Sequence, residues 1–170
     1  MAYLKLIRLK WRIWLVEMDK YMDLAIKEAF EGIRKKHGGP FGTVIVKDGK
    51  VIASGHNKVL KNNDPTSHGE IVAIREAGKK LKTFDLSGCE LYTSCYPCPM
   101  CLGAIYWSRI KTVYYGCSEK DAESLGFDDK LINDIFKGNK KGIIKLKQIG
   151  RDECLKPFEE FNEMSEKEMY

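Results

Sequence analysis

Long apolar runs are missing from this chain. The N-terminus, residues 1–18, is rich in Leu, Ile and Trp, among them Leu4, Ile7, Trp11 and Trp14, but Lys5, Arg8, Lys10 and Arg12 interrupt it. It therefore falls short of the roughly 7–15 apolar residues of a signal-peptide core and the ~20 of a membrane span. Internal repeats, low-complexity tracts and Pro/Gly/Ser-rich linkers are absent too, so nothing divides the 170 residues into separate units. Nor is charge strongly one-sided. A net charge of +5 is compatible with RNA contact but does not require it, and a solvated, slightly basic surface accounts for it. What remains is ordinary for a folded domain, with 44% apolar and 31% charged residues, enough to bury a core without disulfide staples. The six cysteines are therefore expected as reduced thiols in a cytoplasmic protein, where metal binding is the better use for a cluster of them.

Leu4, Ile7, Trp11, Trp14, Met18, Tyr21 and Ala25 recur at three-and-four spacing. This predicts one helix from about residue 3 to 36, ended by Gly38-Gly39-Pro40. A domain pattern begins at Met18, which sets residues 18–170 as the catalytic domain and residues 1–17 as a basic amphipathic extension. Three readings of that extension stay open: a helix packed on this chain or a partner, a segment lying on a membrane surface, or upstream sequence of no functional weight. Thr43–Lys47 and Val51–Ser54 flank Asp48-Gly49, a strong hairpin signal. Helices are predicted from His68 to Lys82 and from Cys98 onward, and strands over Cys89–Ser94, Lys111–Gly116 and Ile143–Ile149. A closing helix is expected over Leu155–Met169. Strands alternating with helices after a hairpin define an α/β chain with a mixed sheet.

The chemistry sits in His68-Gly69-Glu70 and, thirty positions later, Pro97-Cys98-Pro99-Met100-Cys101. Two cysteines three apart at a helix start point the same way, where the helix dipole favours thiolates. With His68 at the start of another helix they make three ligands. A tetrahedral zinc then keeps one position for water, the mark of a catalytic site. Glu70, two residues after His68, reaches that water without coordinating and can carry its proton. His-x-Glu with Pro-Cys-x-x-Cys is the signature of zinc nucleobase deaminases. The plain alternative is a structural zinc knot of Cys95, Cys98, Cys101 and a histidine, which has no use for Glu70. A small buried thiol is the other reading of Cys95. Cys89, Cys117 and Cys154 read as core or surface thiols.

These motifs resemble the cytidine deaminase-like superfamily, and the likeness runs from about Tyr21 to Tyr170. It is closest to the guanine deaminase branch, through Gly38–Gly42, Asp64–His68, Cys101–Trp107, Gly126–Asp129 and Lys167–Tyr170. The resemblance implies a three-layer α/β/α fold with a mixed five-stranded sheet, and a homodimer in which the C-terminal segment is exchanged. It implies zinc on His68, Cys98 and Cys101, with Glu70 moving protons. Asn57 would hydrogen-bond the base and Phe41 would stack on it. Asp129 and Tyr170, the latter supplied by the partner chain, would close over the purine. Two positions depart from the family pattern. Gly69 stands where Ala is usual, and its N–H can still contact the base; Tyr96 stands where Glu is common.

Without the resemblance the pocket residues have plainer readings. Asn57 is a turn residue, Phe41 core, Tyr106 and Trp107 packing, and His37 and His56 solvated or capping side chains. Asp128 and Asp129 cap a helix, and Tyr170 frays. The expected function is hydrolysis of a free purine base, guanine to xanthine and ammonia, with no membrane or nucleic-acid partner. Deamination of adenosine in tRNA, or of cytosine or another aminated heterocycle, is the rival substrate class. A zinc module without turnover is the non-enzymatic rival.

Overall fold

The computed structural model describes residues 19–127, 129–140, 144–145 and 147–166. The N-terminal extension, residues 1–17, lies outside them. Helix α1 spans Lys20–Arg34. The predicted helix from residue 3 does not run through: Asp19 is extended (φ −55°, ψ 125°), and its carboxylate accepts from the N–H groups of Tyr21 and Met22 at 2.8 and 3.2 Å. An aspartate satisfies the orphan donors of a helix start better from outside the helix than within it, and the three-and-four periodicity does not report this.

Strands β1 (Gly42–Lys47) and β2 (Lys50–His56) form the expected hairpin, with Lys47 opposite Lys50. Asp48 and Gly49 both have positive φ, 49° and 72°, as a two-residue turn matched to strand twist requires. A short helix α2 (Val59–Asn62) leads through a loop to α3 (Gly69–Leu81). Then follow β3 (Cys89–Cys95), α4 (Pro99–Trp107), β4 (Thr112–Cys117), α5 (Glu119–Ser124), α6 (Asp129–Phe136) and α7 (Arg151–Glu163). The sheet order is β2-β1-β3-β4, antiparallel except for the parallel β3/β4 pair.

Strand alternation sends neighbouring side chains to opposite layers. Val44, Val46 and Tyr92 pack with Ala25 of α1, while Ile45 and Leu91 pack with Ala73 and Ala77 of α3 and Ile105 of α4. The result is the expected three-layer α/β/α arrangement with a mixed sheet. The fifth strand is not there: among the described residues the sheet has four strands. Ile144 and Ile149 are 79% and 84% exposed. An alternating segment forms a strand only where an edge pairs with it and a face covers its apolar side chains, and Ile144 and Ile149 lie uncovered. The closing helix is α7, which has no buried residue and leaves Phe158 exposed. Among the described residues no helix is long and apolar enough to cross a membrane.

Candidate active site

Two helix starts meet at one point. His68 is the N-cap of α3 and Cys98 the N-cap of α4, both extended, and neither side chain caps its own helix. Pro99 follows Cys98 at the first helical position, where its missing N–H costs nothing. Cys101 comes one turn on, on the same side. The loop before His68 is set by Asp64, whose carboxylate accepts from the Thr66 N–H (2.8 Å), the Thr66 hydroxyl (2.7 Å) and the Ser67 hydroxyl (2.7 Å). These donors, the Thr66 and Ser67 hydroxyls first, hold the Asp64 carboxyl at a pKa of about 2.

His68 Nδ1 lies 3.6 Å from Cys98 Sγ and 3.6 Å from Cys101 Sγ. Zinc–sulfur and zinc–nitrogen bonds of about 2.3 and 2.0–2.1 Å at tetrahedral angles place two such donors about 3.6 Å apart. The spacing is thus that of ligands around one ion, and the three donor atoms lie within 4.8 Å of one another. The donor chemistry agrees. The thiol of Cys101 donates toward Glu70 Oε2 at 3.4 Å, so three groups able to carry negative charge converge in a buried place that suits a dication. The Cys98 thiol is acidified to about 4, chiefly by a hydrogen bond from Cys101 and then by His68. Cys101, the donor in that pair and also buried, is pushed strongly upward. Cys95 is buried but is not part of the group; its thiol faces the Ser118 carbonyl at 3.6 Å.

Glu70 is 5% exposed, with Oε1 accepting from the Thr93 hydroxyl at 3.1 Å. Thr93 in turn takes a hydrogen bond from Thr43 at 3.3 Å. Burial raises the Glu70 pKa, while the hydrogen bonds from Cys101 and Thr93 oppose the rise.

His68, Glu70 and Cys98 open onto a cavity of about 450 Å³, within the range of small-ligand sites. Phe41 and Asn57 line it as well, together with Gly38, Gly39, Tyr96 and Phe127. Phe127 meets Phe41 edge-on, at 4.8 Å between centroids and 76° between planes. Asn57 is buried, and its carboxamide oxygen accepts from the Val59 N–H at 3.2 Å, so its turn role is real and coexists with its place in the wall. Gly69 occupies the first turn of α3, between His68 and Glu70. Tyr170 and the side chain of Asp129 lie outside the described residues.

Three plain expectations change. His56 is neither solvated nor a cap: it is 5% exposed and bonded to His37 and Glu28. Tyr106 and Trp107 are largely exposed, at 76% and 61%, and meet each other edge-on at 5.9 Å. They stand beside a shallow depression of about 650 Å³ lined by Ile74, Phe84, Leu86 and Trp107, which holds no ligating pair. Thr93 and Asp64 were not singled out from the sequence. Asp64 was findable as an Asx turn in Asp64-Pro65-Thr66, whereas Thr93 was one of several polar strand residues.

Fold and site together define a zinc-dependent deaminase, and the comparisons agree. The chain belongs to the cytidine and deoxycytidylate deaminase family, whose zinc-binding region matches residues 16–117. It is similar to a guanine deaminase of Bacillus subtilis, 46% identical over 153 residues, which span 89% of this chain and 98% of the relative. The X-ray structure of guanine deaminase from Bacillus subtilis superposes with a TM-score of 0.83, at 45% identity over 91% of this chain and 99% of that one. A tRNA-specific adenosine deaminase of Buchnera aphidicola is 40% identical over 84% of this chain and 93% of its own. A guanine deaminase structure from Nitrosomonas europaea has a TM-score of 0.61 and 34% identity over 64% of this chain and 63% of that one.

Proposed function

We propose that this protein hydrolyses free guanine to xanthine and ammonia. The observation that carries the reading is Glu70, buried among His68, Cys98 and Cys101 at the wall of a cavity with room for a small aromatic ligand. The near full-length likeness to a guanine deaminase supports the choice of base.

His68, Cys98 and Cys101 would hold the zinc ion, which when bound supplies a Lewis acid and a water acidic enough to react at neutral pH. The protein's own residues do the rest. Phe41 offers its face to the flat base, and the edge of Phe127 limits how that ring can turn. Asn57 hydrogen-bonds the rim of the base, and the Gly69 N–H faces it at the start of α3. Glu70 takes a proton from the attacking water and passes it to a ring nitrogen, then takes the second proton from the new hydroxyl on the attacked carbon and delivers it to the amino group, which leaves as ammonia as the carbonyl forms. Its raised pKa suits a carboxyl that must both accept and return a proton. Asp129 and Tyr170 close the purine off from solvent.

The dimer is part of the same proposal. Exposed Phe158, Phe161 and Met164 on and beside α7, and Tyr114 and Tyr115 on the edge strand β4, give a second copy apolar surface to cover. An exchanged C-terminal segment would bring Tyr170 to the partner's cavity. No disulfide joins any of the six cysteines, which suits the cytoplasm. Residues 18–170 form the catalytic domain in this reading, and residues 1–17 an extension to it.

Ammonia release from a panel of free bases, nucleosides and tRNA tests the substrate. Guanine should lead it, and steeply salt-dependent tRNA turnover would point to the adenosine rival instead. Glu70→Gln should keep its zinc and lose about 10²–10⁴-fold in turnover. Full activity in that variant would end the proposal.

A further inference from the structure

Outside the catalytic group, three ionisable side chains are joined in a line. Glu28 Oε2 lies 2.9 Å from His56 Nδ1, and His56 Nε2 lies 2.8 Å from His37 Nδ1. The Ser54 hydroxyl donates to the other Glu28 oxygen at 2.5 Å. The two ring centroids are 5.1 Å apart with 22° between planes, so the imidazoles lie edge to edge and nearly coplanar across that bond. His56 is buried, and Gly32 of α1 makes room for it: a Cβ there would come within 2.9 Å of the ring. An ionised carboxylate only accepts, so His56 donates from Nδ1 to Glu28 and takes the Nδ1–H of His37 on Nε2.

Each imidazole adjoins the cavity wall through its neighbour in sequence. His37 precedes Gly38 and Gly39, and His56 precedes Asn57, all lining residues. The His37 carbonyl accepts from the N–H groups of Leu60 and Lys61, each at 3.0 Å, and Leu60 lines the same cavity. Gly38 packs so closely on the Asn57 carboxamide that a Cβ would overlap it. We infer that the Glu28–His56–His37 line is a positioning brace that holds Asn57 and the Gly38–Gly39 turn in register for the substrate base.

The brace accepts one proton beyond its neutral state without breaking. His37 can take it on Nε2 and still donate from Nδ1. A second proton puts N–H groups face to face between the rings and parts them. Charged neighbours are Glu28 and Glu31 on α1, Lys35 after its end, and Lys58 and Lys61 around α2. Burial, and then the charges of Lys61, His56, Lys35 and Lys58, push the His37 pKa down, so parting belongs to acid pH.

The choice of guanine as probe rests on the proposed function; the brace itself does not. His37→Phe keeps a ring but no donor, and should raise KM for guanine about tenfold with kcat within a factor of about three and zinc unchanged. His37→Asn keeps a donor near Nδ1 and should restore KM to within about twofold at neutral pH. Asparagine can also turn its oxygen toward a protonated His56, so this variant should lose the acid-side rise in KM that the parent shows. An unchanged KM in His37→Phe, equal losses in both variants, or an acid limb retained in His37→Asn would overturn the inference. If His37→Phe does not fold, the acid limb of His37→Asn decides. If the parent turns over no guanine, the substrate reading has failed and imidazole ¹⁵N–¹H spectra still decide the brace. The Nδ1–H of His37 should be protected from exchange and show a scalar coupling across the 2.8 Å bond to His56 Nε2, and a freely exchanging, uncoupled proton refutes it.

Discussion

Gly69 follows His68, one of the three residues proposed to hold zinc, and replacing it with alanine tests how tightly the floor of the site is packed. A Cβ at Gly69 would sit 3.0 Å from Thr43 Oγ1 and 3.3 Å from the Phe41 carbonyl, both inside ordinary contact. The Thr43 hydroxyl is buried and donates to Thr93, which donates to Glu70. Alanine in a helical turn gains about 0.4–1 kcal/mol by restricting the unfolded chain. Pushing the Thr43 hydroxyl off Thr93 forfeits a bond worth about 0.5–1.5 kcal/mol. Gly69→Ala should therefore be neutral to destabilising, by about 0–1 kcal/mol. In a Thr43→Ala background the closest atom is gone, the Phe41 carbonyl need yield only slightly, and the same substitution should stabilise by about 0.4–1 kcal/mol. The sign reverses, with a coupling of about 1 kcal/mol. Urea denaturation of the four zinc-loaded proteins reads it, or melting points, at about 2–4 °C per kcal/mol for a chain of this size. The same change in both backgrounds would show that Thr43 does not set the clearance at Gly69, and the reasoning would fail.

Thr93→Val removes the donor to Glu70 at nearly constant volume. A hydrogen bond to a charged group is worth about 1.5–3 kcal/mol, so kcat should fall about 10–100-fold with zinc content unchanged, and an unaltered kcat would contradict the role given to Thr93. Asp64 titrates at about 2 in the fold against an ordinary 3.8. Its contribution to stability is therefore full above about 3.8 and is lost as pH falls toward 2. The stability gap between the parent and Asp64→Asn should narrow across that window; a gap constant from pH 5 to 2 would refute it.

The metal site was legible because its residues are chemically rare and lie close together in two motifs. His68-Gly69-Glu70 and Pro97–Cys101 each sit at a helix start, so spacing alone predicts direction. The hairpin was legible for a similar reason, since Asp48-Gly49 names its own turn. Less was visible wherever a residue's role depends on a distant neighbour. Asp19 breaks the predicted long helix because its side chain caps better than it continues, and the periodicity on either side hides this. Ile143–Ile149 alternates like a strand, but alternation cannot show whether an edge is there to receive it. His56 looked like a solvated or capping side chain because Glu28 and His37, which bury its polarity, are 28 and 19 positions away. Thr93 carries no local signal either. Its meaning comes from Glu70, 23 residues off.

The claim beneath all of this is that one imidazole and two thiolates share a single zinc ion. Metal analysis and X-ray absorption on the purified chain test it directly. One zinc per chain is expected, with two sulfur neighbours at about 2.3 Å and the remaining nitrogen or oxygen neighbours at about 2.0–2.1 Å. A metal-free protein, or a shell containing a third sulfur from Cys95, would contradict the account.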